Sequence, residues 1–336
     1  METNYEEIMH KHKICKFFLY IYALHIDFFV VKCYIGQVRI RTHHFYIDER
    51  KGRIIMKKLV AMLLALSMAA VMLTGCGAKE GSDKVKVIDI DLTSEEYAFG
   101  VDKTQAELLE QTNAFIAQIM DDGTFEEICD RYFGDGTPVA VESAKLDESK
   151  DQLIVATNAA FAPFEYTEGD KYYGIDMEIA AALADYLGQE LVIQNMDFDA
   201  VCLSVGQQKC DIAMAGLTVN EERKEYVTFT TSYYNASQKL IVMEDDTTFD
   251  KCTDVASVEE ILNGFDAKTK IGVQNGTTGQ FYVEGDADWG FDGFAVTCTG
   301  YKNGSMAVQD MINGNIDFVI IDSAPAAAIT EAINAL

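Results

Sequence analysis

A unit of one helix, one glycine and one apolar strand occurs twice in the second half of the chain. In the first copy a helix over residues 198–205 is followed by a strand over 211–215, and in the second a helix over 305–313 is followed by a strand over 316–321. Alternating helices and strands form parallel sheets that bind ligands at the carboxyl ends of their strands. The repeat therefore predicts an α/β protein with two lobes of one architecture.

A further strand and helix precede this repeat. Residues 153–156 form a short apolar strand, and residues 176–187 carry apolar side chains at helical spacing before Gly188, a helix stop signal. The chain has 336 residues, of which 49% are hydrophobic. That length and apolar content are sufficient for about two domains.

The charge of the chain excludes one class of partner. There are 27 Lys and Arg against 54 Asp and Glu, a net charge of −27, and so acidic a surface repels phosphate backbones. We therefore exclude nucleic acid as a main partner. All the histidines precede residue 56, so histidine metal sites and Ser–His or Cys–His nucleophile pairs are excluded from the rest of the chain.

Residues 56–75 are similar to a lipoprotein signal peptide. Lys57 and Lys58 precede an apolar run over 59–72, which is short for a membrane span of about 20 residues. The run ends in Leu-Thr-Gly-Cys, which resembles a lipobox, and a lipobox implies that diacylglycerol alkylates the thiol of Cys76. Residues 76–83 would then form a tether. The alternative is an ordinary transmembrane anchor.

Residues 1–55 precede this signal, although secretion signals normally stand at the start of a protein. We interpret them as an upstream extension of a misassigned reading frame, with Met56 as the true start. The alternative is a first membrane helix over 17–31, in which His25 and Asp27 would be costly.

Residues 103–133 are predicted to form two helices. Thr104 with Glu107, and Thr124 with Glu127, match the capping-box spacing. A pair of helices of about 30 residues is too small to be stable alone, so we expect it to dock on a lobe.

Several motifs in the region 153–336 carry a family resemblance when they are taken together. They are TNAAFAPFEY at 157–166, GIDM at 174–177, DIAMAGLTVNEER at 211–223, FT at 229–230 with YY at 233–234, GVQNGTT at 272–278, and the strand over 317–322. With them the chain resembles the polar amino-acid-binding proteins of bacterial ABC importers, solute-binding protein family 3. The resemblance implies a type II periplasmic-binding-protein fold, in which two Rossmann-like lobes close on a ligand about a hinge.

The order of the segments differs from that of the family. Family members end with a strand that returns from the second lobe and with two helices of the first lobe, whereas the matching segments here come first. We interpret the chain as circularly permuted; the alternative is a tandem whose second copy lost its end. The predicted division is 84–95 as the return strand of lobe 2, 96–135 in lobe 1, 136–152 as a flexible linker joining the usual termini, 153–243 in lobe 1, and 244–336 in lobe 2.

The resemblance implies how the carboxylate of an amino acid would be held. The planar guanidinium of Arg223 would pair with the carboxylate. Backbone N–H groups at Thr277 and Thr278, where a helix is expected to begin, would assist it. Arg223 could instead be an ordinary solvated charge at a helix start, because Glu221 and Glu222 precede it.

The resemblance also implies how the ammonium group would be held. Asp322, at the end of an apolar strand, would take the ammonium, helped by the Gly216 carbonyl and the Thr218 hydroxyl. The alternative role of Asp322 is to cap the helix that follows Ser323.

The side chain of the ligand would lie between aromatic rings. Phe161 and Phe198 would clamp it, as family aromatics do, and their alternative role is core packing. Asn158 stands where members that bind cationic side chains often carry an acid. Because Gln274 and Ile321 are also neutral, the sequence favours an uncharged polar ligand such as glutamine.

These observations imply a binding protein rather than an enzyme. The chain would be a monomeric, extracytoplasmic receptor, anchored by lipid on Cys76 to the outer face of the bacterial cell membrane. It would deliver an amino acid to a membrane permease and its ATPase, without a cofactor or metal. Two alternatives are a dehydratase of prephenate-like or arogenate-like acids on the same fold, and a sensory module for a separate signalling partner. A disulfide between Cys252 and Cys298 stays open.

Overall fold

A computed structural model describes residues 84–336, which lie within one compact unit. Cys76, the signal-like segment and residues 1–55 lie outside the described residues. Within residues 84–336, none of the helices has the length and apolar character needed to cross a membrane.

The described chain alternates short strands with helices. In chain order the strands are β1 (Val85–Ile88), β2 (Glu95–Tyr97), β3 (Gly100–Asp102), β4 (Gln152–Thr157), β5 (Ala160–Phe161), β6 (Glu165–Glu168), β7 (Lys171–Tyr173), β8 (Glu190–Asn195), β9 (Ile212–Ala213), β10 (Val227–Phe229), β11 (Tyr234–Ala236), β12 (Gln238–Met243), β13 (Lys270–Gln274), β14 (Thr297–Tyr301) and β15 (Phe318–Asp322). The helices are α1 (Ala106–Asp121), α2 (Thr124–Phe133), α3 (Ile175–Leu187), α4 (Val201–Gly206, preceded by a 3-10 turn at Phe198–Ala200), α5 (Glu221–Lys224), α6 (Val255–Asn263), α7 (Thr278–Glu284), α8 (Gly304–Ile312) and α9 (Ser323–Asn334).

Two five-stranded sheets of the same topology form two lobes. The sheet of lobe 1 has the order β10-β3-β9-β4-β8, and the sheet of lobe 2 has the order β1-β12-β15-β13-β14. In each sheet the first three strands pair antiparallel and the last three pair parallel. The predicted α/β class with two lobes of one architecture is confirmed.

The chain passes between the lobes twice, and the two passages pair with each other. β2 connects β1 in lobe 2 to β3 in lobe 1, and β11 connects β10 in lobe 1 to β12 in lobe 2. β2 and β11 form a two-stranded antiparallel ribbon in which Tyr97 faces Tyr234 and Glu95 faces Ala236. This ribbon is the expected hinge.

The helical pair α1–α2 docks on lobe 1. Phe115, Ile116 and Ile119 of α1 are buried in one apolar cluster with side chains of α3 and β4. Glu178 of α3 forms an ion pair with Arg131 of α2. Apolar burial therefore stabilises a pair of helices that could not fold alone.

The capping boxes predicted for α1 and α2 are wrong. α1 begins at Ala106 after an N-cap residue, Gln105, that makes no side-chain cap bond. The hydroxyl of Thr104 donates instead to Asp102 Oδ1 at 2.6 Å. α2 follows Gly123, whose φ is 85°, so a left-handed glycine sets the start of that helix.

Two of the predicted boundaries also need correction. β12 (238–243) pairs with β15 in the sheet of lobe 2, so lobe 1 ends before it and not at residue 243. Residues 136–152 are not a loose linker: the Val141 N–H donates to the Tyr172 carbonyl at 2.8 Å and the Ala144 N–H donates to the Leu191 carbonyl at 2.8 Å. Edge strands of lobe 1 offer unpaired backbone groups, which this segment satisfies.

Candidate functional site

Strand ends from both lobes meet at one buried interface. β4 of lobe 1 ends just before Asn158, while β13 and β15 of lobe 2 end at Gln274 and Asp322. Asn158, Gln274 and Asp322 are respectively 7%, 1% and 4% exposed. Parallel strands place their carboxyl ends at the same edge of a sheet, so this interface is where the fold predicts a ligand.

Arg223 lies in lobe 1, and its guanidinium reaches lobe 2. Its Nη1 donates to the Thr218 carbonyl at 2.6 Å, and its Nη2 donates to the Gly276 carbonyl at 3.0 Å. Its guanidinium carbon lies 5.1 Å from the centroid of the Phe198 ring, within the range of a cation–π contact. Arg223 is buried, so it is not a solvated surface charge.

Asp322 is the buried acid of lobe 2. It accepts a hydrogen bond from the hydroxyl of Tyr97 in the hinge, and it makes no side-chain cap bond to the helix that follows it. Burial, and then the charge of Glu95, raise the pKa of Asp322 to about 7, although hydrogen bonds from Tyr97 and Gln238 oppose the shift. A cation brought to this carboxyl would favour its ionised form.

Gly216 and Thr218 lie on the lobe 1 side of the same interface. The Gly216 N–H donates to Asp176 Oδ2 at 2.9 Å, and its φ of 51° is left-handed. A Cβ at this position would lie 3.0 Å from the Phe161 ring, so only glycine fits the turn without displacing that ring. Burial raises the pKa of Asp176 to about 7.

Thr218 is in contact with lobe 2 through its hydroxyl. Thr278 Oγ1 at the start of α7 donates to Thr218 Oγ1 at 3.4 Å. Thr277 is the N-cap residue of α7, and its hydroxyl donates to the Gln274 carbonyl at 2.8 Å. The helix expected after Gln274 therefore begins at Thr278.

Asn158 and Gln274 connect the two lobes at another point. Gln274 Nε2 donates to Asn158 Oδ1 at 3.3 Å, and Asn158 Nδ2 donates to the Met196 carbonyl at 2.6 Å. Six pairs of the residues named from the sequence are in direct contact, and Asp322 is connected to them through Tyr97, whose ring lies beside Gly216. The structure therefore brings all ten of these residues together. They are Asn158, Phe161, Phe198, Gly216, Thr218, Arg223, Gln274, Thr277, Thr278 and Asp322.

The sequence of the chain also matches the profile of a known protein family. The sequence profile of the bacterial extracellular solute-binding proteins, family 3, matches residues 153–327, just over half of the chain. The chain belongs to this family. The two-lobed architecture is that of its type II periplasmic-binding fold.

Individual relatives of this solute-binding protein are named for arginine. The chain is 37% identical over 99 residues to the arginine-binding extracellular protein ArtP of Bacillus subtilis, with 30% of this chain and 39% of the relative covered. It is 30% identical over 173 residues to an arginine-binding periplasmic protein of Mannheimia haemolytica, with 51% and 63% covered. The chain thus spans less than two thirds of the length of these relatives.

A solved structure that the chain is similar to is holo ArgBP of T. maritima. The sequence identity is 32%, the match covers 55% of this chain and 75% of that chain, and the TM-score is 0.47.

The structure places at this interface, the cleft between the lobes, one further residue that the sequence reasoning missed. Glu95 is 3% exposed, and its carboxylate accepts hydrogen bonds from Thr218 Oγ1 at 2.7 Å, Gln238 Nε2 at 3.0 Å and Thr93 Oγ1 at 2.6 Å. Glu95 and Tyr97 belong to the segment that matches the family's ending, so the motif was visible, but nothing local indicated that these side chains face the cleft.

Within residues 84–336, no group of three or more His, Cys, Asp and Glu side chains is arranged to hold a metal ion. Cys252 and Cys298, left open as a pair by the sequence, are both free thiols.

Proposed function

We propose that this solute-binding protein captures a free α-amino acid with a polar side chain between its lobes and delivers it to the permease and ATPase of an ABC importer. The observation that carries the proposal is that a buried guanidinium, Arg223, and a buried carboxylate, Asp322, both lie at the interface between the two lobes. The carboxylate of an amino acid would pair with the guanidinium, and its ammonium group would pair with the carboxylate of Asp322.

Lobe closure follows from the same arrangement. A ligand that contacts residues of both lobes binds the closed form better than the open form, and this difference in affinity shifts the population toward closure. The ribbon of β2 and β11 is where the two passages of the chain would bend.

The sequence and the named relatives support two different classes of ligand side chain. Neutral Asn158, Gln274 and Ile321 favour an uncharged polar side chain such as that of glutamine. The relatives named as arginine-binding add a cationic side chain to the candidates.

Attachment to the outer face of the membrane is part of the proposal. The lipobox-like ending at Cys76 supports lipidation there, and the family's extracellular character supports the location. We propose that the anchored protein works as a monomer.

A panel of ligands tests the proposed function. We expect one or a few of the twenty amino acids to raise the thermal unfolding midpoint of the purified chain, because a ligand that binds only the folded state stabilises it. Prephenate and arogenate should bring no turnover, since a guanidinium and a carboxylate at one interface suit the binding of a zwitterion. A chain that no amino acid stabilises, or that dehydrates either acid, would contradict the proposal.

We also propose that the chain is circularly permuted, because the ends of the described chain meet in lobe 2. The N–H groups of Lys84 and Val85 donate to Asn334 Oδ1 at 2.8 and 3.2 Å, and Asn334 Nδ2 donates to the Val85 carbonyl at 2.8 Å. The profile match begins at residue 153, yet β1–β3, α1 and α2 complete both lobes from the preceding segment.

A rearranged gene tests the permutation. In this variant residues 1–83 are followed by 136–336, then by a link of about four residues, which spans about 13 Å, and then by 84–135. We expect the variant to fold and to bind the same amino acid as the original order, as measured by circular dichroism and calorimetry. The control is the same rearrangement opened inside β4, which should not fold; equal failure of both variants would refute the permutation.

A further inference from the structure

Tyr97 is attached to both lobes at the hinge. Its backbone lies in β2, where it faces Tyr234 in the ribbon and forms a further bridge to Thr218 of lobe 1. Its hydroxyl donates to Asp322 Oδ1 of lobe 2. The backbone bridge holds Tyr97 beside the loop that supplies Gly216 and Thr218, so the bond made by its hydroxyl joins the two sides of the cleft.

The ring of Tyr97 is fixed by its neighbours. Tyr97 is fully buried. Its ring packs edge-on against Phe164 with 5.1 Å between the centroids, and it lies 5.7 Å from the ring of Tyr234. A Cβ at Gly216 would lie 3.3 Å from Cε2 of the Tyr97 ring. This close packing directs the hydroxyl at one carboxyl, that of Asp322.

The carboxyl of Asp322 depends on such a donor. Burial and the charge of Glu95 raise the pKa of Asp322 to about 7, and the hydrogen bond from Tyr97 lowers it. The hydroxyl keeps its own proton, because burial raises the pKa of Tyr97 well above its usual value of about 10. Tyr97 is therefore a neutral donor to the acid that is assigned to the ammonium group.

We propose that Tyr97 is the positioning residue of the ammonium site: its hydroxyl holds the Asp322 carboxylate ionised and in place for the ligand's ammonium group. This inference rests on the proposed amino-acid-binding function. The hydroxyl bonds to the ionised carboxyl both before and after the ligand binds, so its effect on affinity arises where the free protein would otherwise be protonated. The role therefore shows in the pH profile of binding.

Other titratable side chains face Asp322 from β2, β6 and β11. They are Glu95 of β2, Glu165 of β6 and Tyr234 of β11. Burial raises the pKa of Glu165 well above its usual value, and the charge of Asp176 in α3 adds to that shift. Because these acids also take up protons, the test compares chains that differ only at Tyr97.

Calorimetric affinity, measured against pH in the purified chain and in Tyr97→Phe, tests the inference. The probe is the amino acid that gives the largest thermal shift among the twenty. We expect Tyr97→Phe to weaken binding about tenfold at pH 5.5 and less than about twofold at pH 8.5, because loss of a hydrogen bond to a charged group raises the pKa of Asp322 by about one unit. The ratio of the two affinities at each pH cancels the titration of the probe itself. A ratio that is the same at every pH would show that Tyr97 only maintains structure, and would overturn the inference.

Two further variants locate the effect. Tyr282→Phe is the matched control, because Tyr282 is also a buried tyrosine whose hydroxyl donates to a carboxyl, that of Glu259 in α6, at 2.9 Å. It should leave the affinity unchanged at every pH. Glu165→Gln removes a second buried acid, and Tyr97→Phe made in that background should give the same pH-dependent ratio. Loss of the pH dependence of the ratio in that background would assign the proton to Glu165 and overturn the inference.

Proton release gives a readout that is independent of affinity. At pH 7.5, in two buffers of different ionisation enthalpy, Tyr97→Phe should release more protons on binding than the original chain does. Circular dichroism shows that each variant is folded, and Tyr97→Phe keeps the packed ring. Equal proton release would overturn the inference and leave the proposed function intact, whereas no binding by any of the twenty amino acids would overturn both.

Discussion

Replacing Arg223 with alanine is expected to abolish measurable amino-acid binding while the chain stays folded. Arg223 is 8% exposed, and its guanidinium already spans the interface from the Thr218 carbonyl to the Gly276 carbonyl. A ligand carboxylate placed there exchanges neutral acceptors for a charged one and gains a two-pronged bond. Removing one partner of a desolvated charge pair costs about 2–5 kcal/mol, a loss of roughly thirtyfold to several thousandfold in affinity.

Two further variants make the Arg223 result specific. Arg223→Lys keeps the charge but loses the planar fork, so its affinity should fall between those of the original chain and Arg223→Ala. Lys224→Ala is the matched control, because the Lys224 side chain is 46% exposed and, among residues 84–336, pairs only with Glu221 of the same helix, an interaction of small value. Calorimetry gives the affinities and thermal unfolding shows that each variant is folded. An unchanged affinity in Arg223→Ala would refute the assignment.

The sequence predicts local structure where short-range chemistry determines it. The helix expected over 176–187 is observed at Ile175–Leu187, and the strand expected over 153–156 is observed at Gln152–Thr157. Apolar spacing and a following glycine specify such elements without tertiary information. The start of α1 was predicted wrongly, because the hydroxyl of Thr104, the expected N-cap, donates to the side chain of Asp102 two residues earlier and does not cap the helix.

Features that depend on distant pairing could not be predicted in the same way. β12 was assigned to lobe 1 because the residues of an apolar strand do not indicate which sheet the strand joins. Its pairing with β15 places it in the sheet of lobe 2. Glu95 reaches the cleft because β2 pairs with β11, about 140 positions along the chain. Nine of the ten site residues were accessible from the sequence because they stand within the motifs that carry the family resemblance, and Phe198 stands at the start of a predicted helix.

The buried state of Asp322 leads to a second large effect, a dependence of binding on pH. Burial and the Glu95 charge raise the pKa of this carboxyl to about 7, whereas pairing with a ligand ammonium lowers it in the complex. Below pH 7 the free protein therefore holds a proton that has to leave when the ligand binds. Affinity should rise with pH, by up to about tenfold per unit below 7, and level off above 7.

Calorimetry at pH 5.5, 6.5 and 7.5, in two buffers of different ionisation enthalpy, measures both the affinity and the protons released. Asp322→Asn should lose about 2–5 kcal/mol of binding free energy, and its residual affinity should no longer depend on pH. Asp288→Asn, which alters an exposed carboxyl of the same lobe, is the control and should behave as the original chain does.

Burial also raises the pKa of Asp176 to about 7, but Asp176 already accepts hydrogen bonds from Gly216 and Tyr233 within lobe 1. A pH dependence that survives in Asp322→Asn would therefore assign the proton to another buried acid, Asp176 or Glu165, whose pKa burial also raises, and would contradict the role of Asp322.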